Sequence, residues 1–343
     1  MMSRLNWLVV GIGDIATKRV IPAIQQEPSS NLYGVVSRDP QKAEPFGCKY
    51  WATLDEALND DAIDAVYIAT PVALHAPQTV AALGASKHVL CEKPMALRYD
   101  DAKVMAAAAR NADRVLGVAY YRRNYPKVHR ALELIRQGAI GEVQLAEINC
   151  HSWLPNDDEY RGWLLDPKLA GGGPLYDIAS HRIDLLNFMF GKPVRVAGQR
   201  ANSLHRYDVE DSATVLIEYE SGLRGIVDVR WNSRISRDQF RIVGTEGEII
   251  LTPLNGATLI HPGAQEDIPN HPNLHYPCIA NFVDAVRNGA PLLSSGKTAM
   301  VTDWITEQVM RLGPPAQYGS THHDAGNTRS EGPTAIPASG GAN

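Results

Sequence analysis

Cysteine is scarce in this chain. Only Cys48, Cys91, Cys150 and Cys278 occur in 343 residues, and no two form a CxxC pair. That scatter argues against a disulfide framework or a zinc cluster and fits a reducing cytoplasm. A basic excess is also missing. Lys plus Arg number 33 against 38 Asp plus Glu, so the formal net charge is −5 and no positive field points to nucleic acid. Long apolar runs are missing too. The stretch LNWLVVGI near the N-terminus is too short for a membrane span and lacks a small-residue cleavage site, so it reads as a first strand. No internal repeat is visible. Large apolar residues nearly vanish from residues 313–343, where Gly, Pro, Ser and Thr dominate. Such a stretch cannot bury enough surface to offset its ordering entropy, so a disordered tail is expected there. The His322-His323 pair within it reads as incidental, and no metal is expected.

What is present suits a folded chain of more than one core. At 44% hydrophobic and 21% charged the composition is that of an ordinary globular protein, and the length points to two domains. In the first 120 residues the pattern alternates. LNWLVVGI, NLYGVVSR, AIDAVYIATP, KHVLCEK and RVLGVAY read as buried strands. IATKRVIPAIQQE, TLDEALND, HAPQTVAALGAS and RYDDAKVMAAAARNA read as helices. Near-continuous apolar strands alternating with helices predict an α/β domain with a doubly wound parallel sheet.

Ligands bind such sheets at the carboxyl ends of the strands. The first strand runs into Gly11-Ile12-Gly13-Asp14-Ile15-Ala16, a GxGxxA turn. Gly11 permits the tight turn, Gly13 lets backbone approach a pyrophosphate, and Ala16 permits close helix packing. The second strand ends in Ser37-Arg38, where an acidic residue would accept from a ribose 2′-OH. A hydroxyl and a guanidinium suit a 2′-phosphate, so NADP is expected over NAD. Asp39 lies one position too late for the acidic role. Later strand ends collect Thr70, Pro71 and His75, then Glu92-Lys93-Pro94, then Tyr120 and Arg123. A Lys at the end of a buried strand is costly unless paired or used. His75 alone reads equally as a cap for the next helix.

After Pro126 the pattern changes. An amphipathic helix, KVHRALELIRQGAIG, is followed by alternating runs separated by short turns, which predict an α+β domain with an open, mostly antiparallel sheet. The division runs 1–122, 123–312 and a 313–343 tail. Between the first two strands of the second domain, Gly171-Gly172-Gly173 leads into a helix bearing Asp177, His181 and Asp184. Asp177 and His181, four apart, share a helix face and make a base with an orienting partner. The glycines read as a flexible or close-approach segment. Trp153, Tyr160 and Trp163 with Asp157, Asp158 and Arg161 suit a polyhydroxylated ring, or alternatively line an interface or core.

The motifs GIGDIA, SRDP, IATPVALH, HVLCEKPMAL, GAIGEV and GGGPLYDIASHRID resemble, in order and spacing, the glucose–fructose oxidoreductase / inositol dehydrogenase / MocA family. The resemblance covers about residues 5 to 312. It implies a Rossmann first domain and a second domain whose open sheet makes a dimer or tetramer interface. It also implies that Lys93, Asp177 and His181 surround the reacting carbon, and that Thr70, Pro71 and His75 lie beside the cofactor. Tyr120, Arg123, Trp153, Arg161 and Trp163 are the expected substrate residues. The Lys-Pro bond is often cis in relatives. One departure is Leu164, where many members carry Arg in Trp-Arg-x-x-Pro.

The expected reaction is hydride transfer between the nicotinamide and a secondary alcohol or carbonyl of a sugar, sugar derivative or cyclitol. His181 would take the hydroxyl proton, because imidazole titrates near neutral pH. Asp177 would orient the substrate or the imidazole, and Lys93 would stabilise charge on the oxygen. Glu92 either balances the Lys charge or lies on the surface. Rival readings are a glycosidase of the same fold, a dihydrodiol or biliverdin-type reductase, and an NADP-binding regulator without catalysis.

Overall fold

The computed structural model describes residues 4–154, 159–313 and 316–317. Strands β1 (Leu5–Val10), β2 (Ser30–Val36), β3 (Lys49–Trp51), β4 (Ala65–Ile68), β5 (His88–Cys91) and β6 (Leu116–Val118) form the first sheet. It is parallel throughout, in the order β3-β2-β1-β4-β5-β6. The order reverses between β1 and β4, which opens a crevice at the carboxyl ends there. Strands such as Ala65–Ile68 are buried at every position because helices cover both faces. The edge strand β3 escapes sequence reading because its three residues are exposed or half-buried and carry no apolar run.

Helices α1 (Ile21–Gln26), α2 (Leu54–Leu58), α3 (His75–Gly84) and α4 (Tyr99–Ala112) cross between these strands. A π turn over Ala16–Val20 precedes α1. It sits just ahead of Pro22, which has no N–H for an ordinary helical bond. Thr53 caps α2, accepting from the Glu56 N–H at 3.3 Å.

The second sheet has nine strands: β7 (Val143–Trp153), β8 (Pro193–Asn202), β9 (Ser212–Tyr219), β10 (Arg224–Arg230), β11 (Asn232–Gly244), β12 (Glu248–Leu251), β13 (Thr258–His261), β14 (Ala264–Asp267) and β15 (Ala316–Gln317). Their order is β14-β13-β12-β11-β7-β10-β9-β8-β15. The pairs β7–β10 and β8–β15 are parallel and the rest antiparallel. Ala316–Gln317 thus contribute an edge strand within the stretch expected to be a disordered tail. Residues 318–343, including His322 and His323, lie outside the described residues.

Five more helices follow among the described residues: α5 (Pro126–Arg136), α6 (Pro167–Ala170), α7 (Ser180–Phe190), α8 (Tyr276–Asn288) and α9 (Gly296–Arg311). The inner face of the second sheet, with Ile148, Val215, Ile217 and Phe240, packs on Val128 and Leu134 of α5, Ile183 and Leu186 of α7, and Ile305 and Val309 of α9. The other face carries ion pairs such as Arg241 with Glu147 and Glu248. Alternating in–out residues along β9 follow from that asymmetry.

Helix α8 lies inside the 123–312 span but packs elsewhere. Its Cys278, Ile279, Phe282 and Val283 share a core with Trp7, Val9, Ile21 and Ile24 of the first domain. The Trp7 and Phe282 rings stand 5.3 Å apart. Burying a Phe stabilises by about 1.5–3 kcal/mol, so α8 clamps the C-terminal half onto the first sheet. Among the described residues no helix is long and apolar enough to cross a membrane.

Candidate active site

The β1 turn is built for close backbone approach. Gly11 sits at φ +90°, and a Cβ there would lie 3.0 Å from the Ala69 carbonyl oxygen, so only glycine fits. A Cβ on Gly13 would meet nothing within 4 Å, leaving open space over the backbone. Ile15 is exposed beside it, and Asp14 accepts from Lys18 Nζ at 2.7 Å. This turn fits a nicotinamide dinucleotide. At the end of β2, the buried Ser37 hydroxyl oxygen accepts from the Asp39 N–H at 3.1 Å. The Asp39 carboxylate accepts from the Gln41 N–H at 3.0 Å and so caps the following turn. Arg38 is exposed and makes no hydrogen bond or ion pair among the described residues.

After β4, the Thr70 hydroxyl donates to Gln78 Oε1 at 2.7 Å, and Pro71 leads into the short turn Val72–Leu74. His75 is buried with its ring nitrogens 2.8 Å from the Thr70 carbonyl oxygen and 2.9 Å from that of Pro94. Burial pulls its pKa below the ordinary value, although both carbonyls favour the protonated ring. His75 therefore ties the Thr70 loop to the segment that carries Lys93. The Lys93–Pro94 peptide is cis.

Strand β5 delivers Glu92 and Lys93 to the same edge. Glu92 is buried, which corrects the surface alternative. It accepts from the Tyr67 hydroxyl at 2.7 Å and the Lys93 N–H at 3.2 Å, and pairs with His275 Nε2 at 3.3 Å. Burial pushes its pKa up, but His275, Tyr67 and the Lys93 charge outweigh burial and hold it at about 2. Lys93 Nζ donates to Asp177 Oδ1 at 2.8 Å and to the Asp177 carbonyl at 2.9 Å. That pair spans 84 residues and joins the two domains.

Asp177 lies on a π turn, Leu175–Ala179, that runs into α7. Such turns reorient one side chain within a helix and recur at functional sites. The glycines ahead of it are a close-approach segment. A Cβ on Gly173 would lie 2.0 Å from the Glu210 carbonyl oxygen. The buried Glu210 carboxylate accepts from the Gly173 and Leu175 N–H groups at 2.9 and 3.1 Å and pins the start of the turn.

His181 is 5% exposed and meets the Tyr120 and Tyr121 rings edge-on at 5.8 and 5.0 Å. Burial, and then the charges of Arg122, Lys93 and Arg182, push its pKa well below the usual imidazole value. A ring expected to titrate near neutral pH is thereby shifted toward its neutral form. Its Nδ1 is buried without a hydrogen-bond partner, as are the Tyr120 hydroxyl, His275 Nδ1, and Nε and Nη1 of Arg122. Unmet buried donors and acceptors cost about 1–3 kcal/mol each, so their concentration around Tyr121 and His181 sets this cluster apart from the rest of the core.

Not every expected substrate residue reaches this cluster. Arg123 does not. Its guanidinium forms a buried fork onto Asp184 at 2.8 and 2.5 Å and also donates to the Leu293 carbonyl and Thr298 Oγ1. Trp153 packs on His205 at 4.7 Å with the Arg234 guanidinium 4.0 Å from its ring centroid. Trp163 is exposed. Leu164 is buried with Leu154, Val209 and Trp231, filling an apolar cluster. The side chains of Tyr160 and Arg161, and residues 155–158, lie outside the described residues. Sequence reading missed Arg122, Glu210 and His275. No local signal marks His275, which lies 183 residues from its partner Glu92.

Comparison with known proteins agrees with this geometry. Residues 5–120 match the family described as "Oxidoreductase family, NAD-binding Rossmann fold", and residues 128–250 match the "GFO/IDH/MocA C-terminal domain". The chain is 31% identical over 302 residues to 1,5-anhydro-D-fructose reductase of Ensifer adhaerens, covering 83% of this chain and 90% of that one. It is 32% identical over 258 residues to dTDP-3,4-didehydro-2,6-dideoxy-alpha-D-glucose 3-reductase of Streptomyces violaceoruber, covering 71% of each. The structure of GenD2 from gentamicin A biosynthesis in complex with NAD superposes with a TM-score of 0.80 at 29% identity, over 91% of this chain and 94% of that one. The chain thus belongs to the GFO/IDH/MocA family of NAD(P)-dependent oxidoreductases.

Proposed function

We propose that the chain moves a hydride between NADP and a secondary alcohol or carbonyl of a sugar, sugar derivative or cyclitol. The observation that carries this reading is the Lys93–Asp177 contact at 2.8 Å beside the buried, neutral His181. The bound nicotinamide supplies the hydride acceptor. Lys93 has two of its three N–H bonds on Asp177, and the third is available to a substrate oxygen. Its charge stabilises negative charge developing on that oxygen. Asp177 holds the ammonium in place. His181 stays unprotonated through neutral pH and so remains ready to accept the hydroxyl proton. The relatives named above carry sugar substrates in their names, which supports a polyhydroxylated ligand.

Preference for NADP rests on Ser37 and the unpartnered Arg38, together with an Asp39 carboxylate already engaged as a cap. A homodimer or homotetramer through the outer face of the second sheet is supported by the exposed Leu216 and Val194 among its ion pairs. Four free cysteines support a reducing compartment such as the cytoplasm. We draw the domain division at residues 122/123, within the turn Tyr121–Asn124.

The test is a panel of sugars and cyclitols scored by nicotinamide absorbance with each cofactor. Stoichiometric NADPH formation or consumption, with kcat/KM higher for NADP than NAD, is expected. Glycoside cleavage without net NADPH change would replace the dehydrogenase reading with a glycosidase, and an NAD preference would overturn the cofactor assignment.

A further inference from the structure

Resting on the oxidoreductase reading above, we propose that Arg122 selects a substrate bearing an anionic group, a carboxylate or a phosphate ester, on the polyhydroxylated ring. Three neighbouring cations each have a carboxylate. Lys93 has Asp177, Arg123 has Asp184, and Arg182 has Asp238 at 2.9 Å. Arg122 is 5% exposed and has none among the described residues. Its Nε and Nη1 are buried without any hydrogen-bond partner. The guanidinium stacks on the face of Tyr121, 4.9 Å from the ring centroid, while the Asp184 carboxylate that its charge also reaches is already forked by Arg123. Tyr121 in turn touches both His181 and His275, at 5.0 and 4.6 Å between ring centroids. The guanidinium therefore belongs to the cluster that holds the proton acceptor.

A buried charge without a counter-ion is strongly unfavourable, and a cation–π contact offsets only part of that cost. The cofactor's pyrophosphate does not supply the missing anion. Arg122 follows β6, three strands from the Gly11 turn of β1 in the sheet order, which at about 4.8 Å per strand puts some 14 Å between them. A guanidinium fork matches a carboxylate or phosphate with two parallel N–H bonds. The site thus holds a preformed half of a bidentate pair, beside the reacting atoms, with the substrate left to bring the other half.

The experiment compares, in the intact protein with NADP, a neutral sugar, its uronic or aldonic acid, and its phosphate ester. A preference in kcat/KM of about 10- to 100-fold for an anionic member over its neutral parent is expected, the scale of one charge-assisted bond. Which member wins distinguishes a carboxylate from a phosphate. In Arg122→Met that ratio should collapse toward one, and titration of the preferred acid against the protein should show the same loss of affinity. Melting should occur at a higher temperature in Arg122→Met than in the parent protein, because an unpaired buried charge is removed. Equal turnover of neutral and anionic sugars, or a variant that melts lower and keeps the ratio, would assign Arg122 to structure alone and overturn the proposal. Absence of turnover across all sugars with either cofactor would instead overturn the oxidoreductase reading on which it rests.

Discussion

Two adjacent arginines are buried almost equally and are treated in opposite ways. Arg123 is 2% exposed and every face of its guanidinium is spent on Asp184, the Leu293 carbonyl and Thr298. Arg122 is 5% exposed and its donors are spent on nothing among the described residues. The first joins the 3-10 turn Tyr121–Asn124 to α7 and the start of α9, so it holds the fold. The second adjoins Tyr121 and His181, so it faces chemistry. Burial alone does not separate a structural charge from a functional one; completeness of its hydrogen bonding does. Asp303 shows a third solution. Its Oδ1 accepts from the Ala96 N–H at 3.0 Å while Oδ2 is buried without a partner, and burial raises its pKa to about 8, so the group is kept as a neutral acid.

Three experiments test this contrast. The largest effect is expected for Arg123→Met, which leaves Asp184 buried and uncompensated. Stability should fall by about 3–5 kcal/mol, read as a lower denaturant midpoint, and adding Asp184→Leu should recover most of it. Breaking the comparison would require Arg123→Met to be as mild as the same change at Arg122.

Next comes Lys93→Ala. It removes the ammonium proposed to stabilise charge on the reacting oxygen, and kcat should drop by about 10²-fold or more while the dinucleotide still binds. Turnover near the parent value with cofactor affinity intact would remove Lys93 from the chemistry.

The gentlest test is Asp303→Asn, which imitates the protonated acid. The folded pKa of Asp303 lies above its unfolded value, so its contribution is full below pH 3.8 and is lost as pH rises through about 8. Between pH 5 and 8 the parent protein should lose stability relative to the Asn variant by at most about 1.4 kcal/mol per pH unit. Parallel midpoint-versus-pH curves would show that Asp303 is ionised in the fold.

Much of this molecule was legible in local order. Glycine spacing at Gly11 and Gly13 follows from the turn itself, and a Cβ at Gly11 has no room. Lys93, Asp177 and His181 were singled out from separate motifs, and the fold brings them together. That the Arg123 guanidinium is held by Asp184 was not legible, because Asp184 lies 61 residues away. Nor was the shift away from a near-neutral imidazole legible, since protonation depends on how deep His181 lies and how many cations surround it.

By itself the sequence determined the alternation of strand and helix and the dinucleotide turn, and it singled out three polar residues for the candidate site. Those follow from side-chain periodicity and backbone sterics, which act over a few residues. Only the tertiary structure decided that α8 packs on the first sheet, that His275 meets Glu92 across 183 residues, and that one of two arginines is left without a counter-ion. Burial and electrostatic pairing depend on every chain segment that surrounds a group, and those segments are distant in sequence.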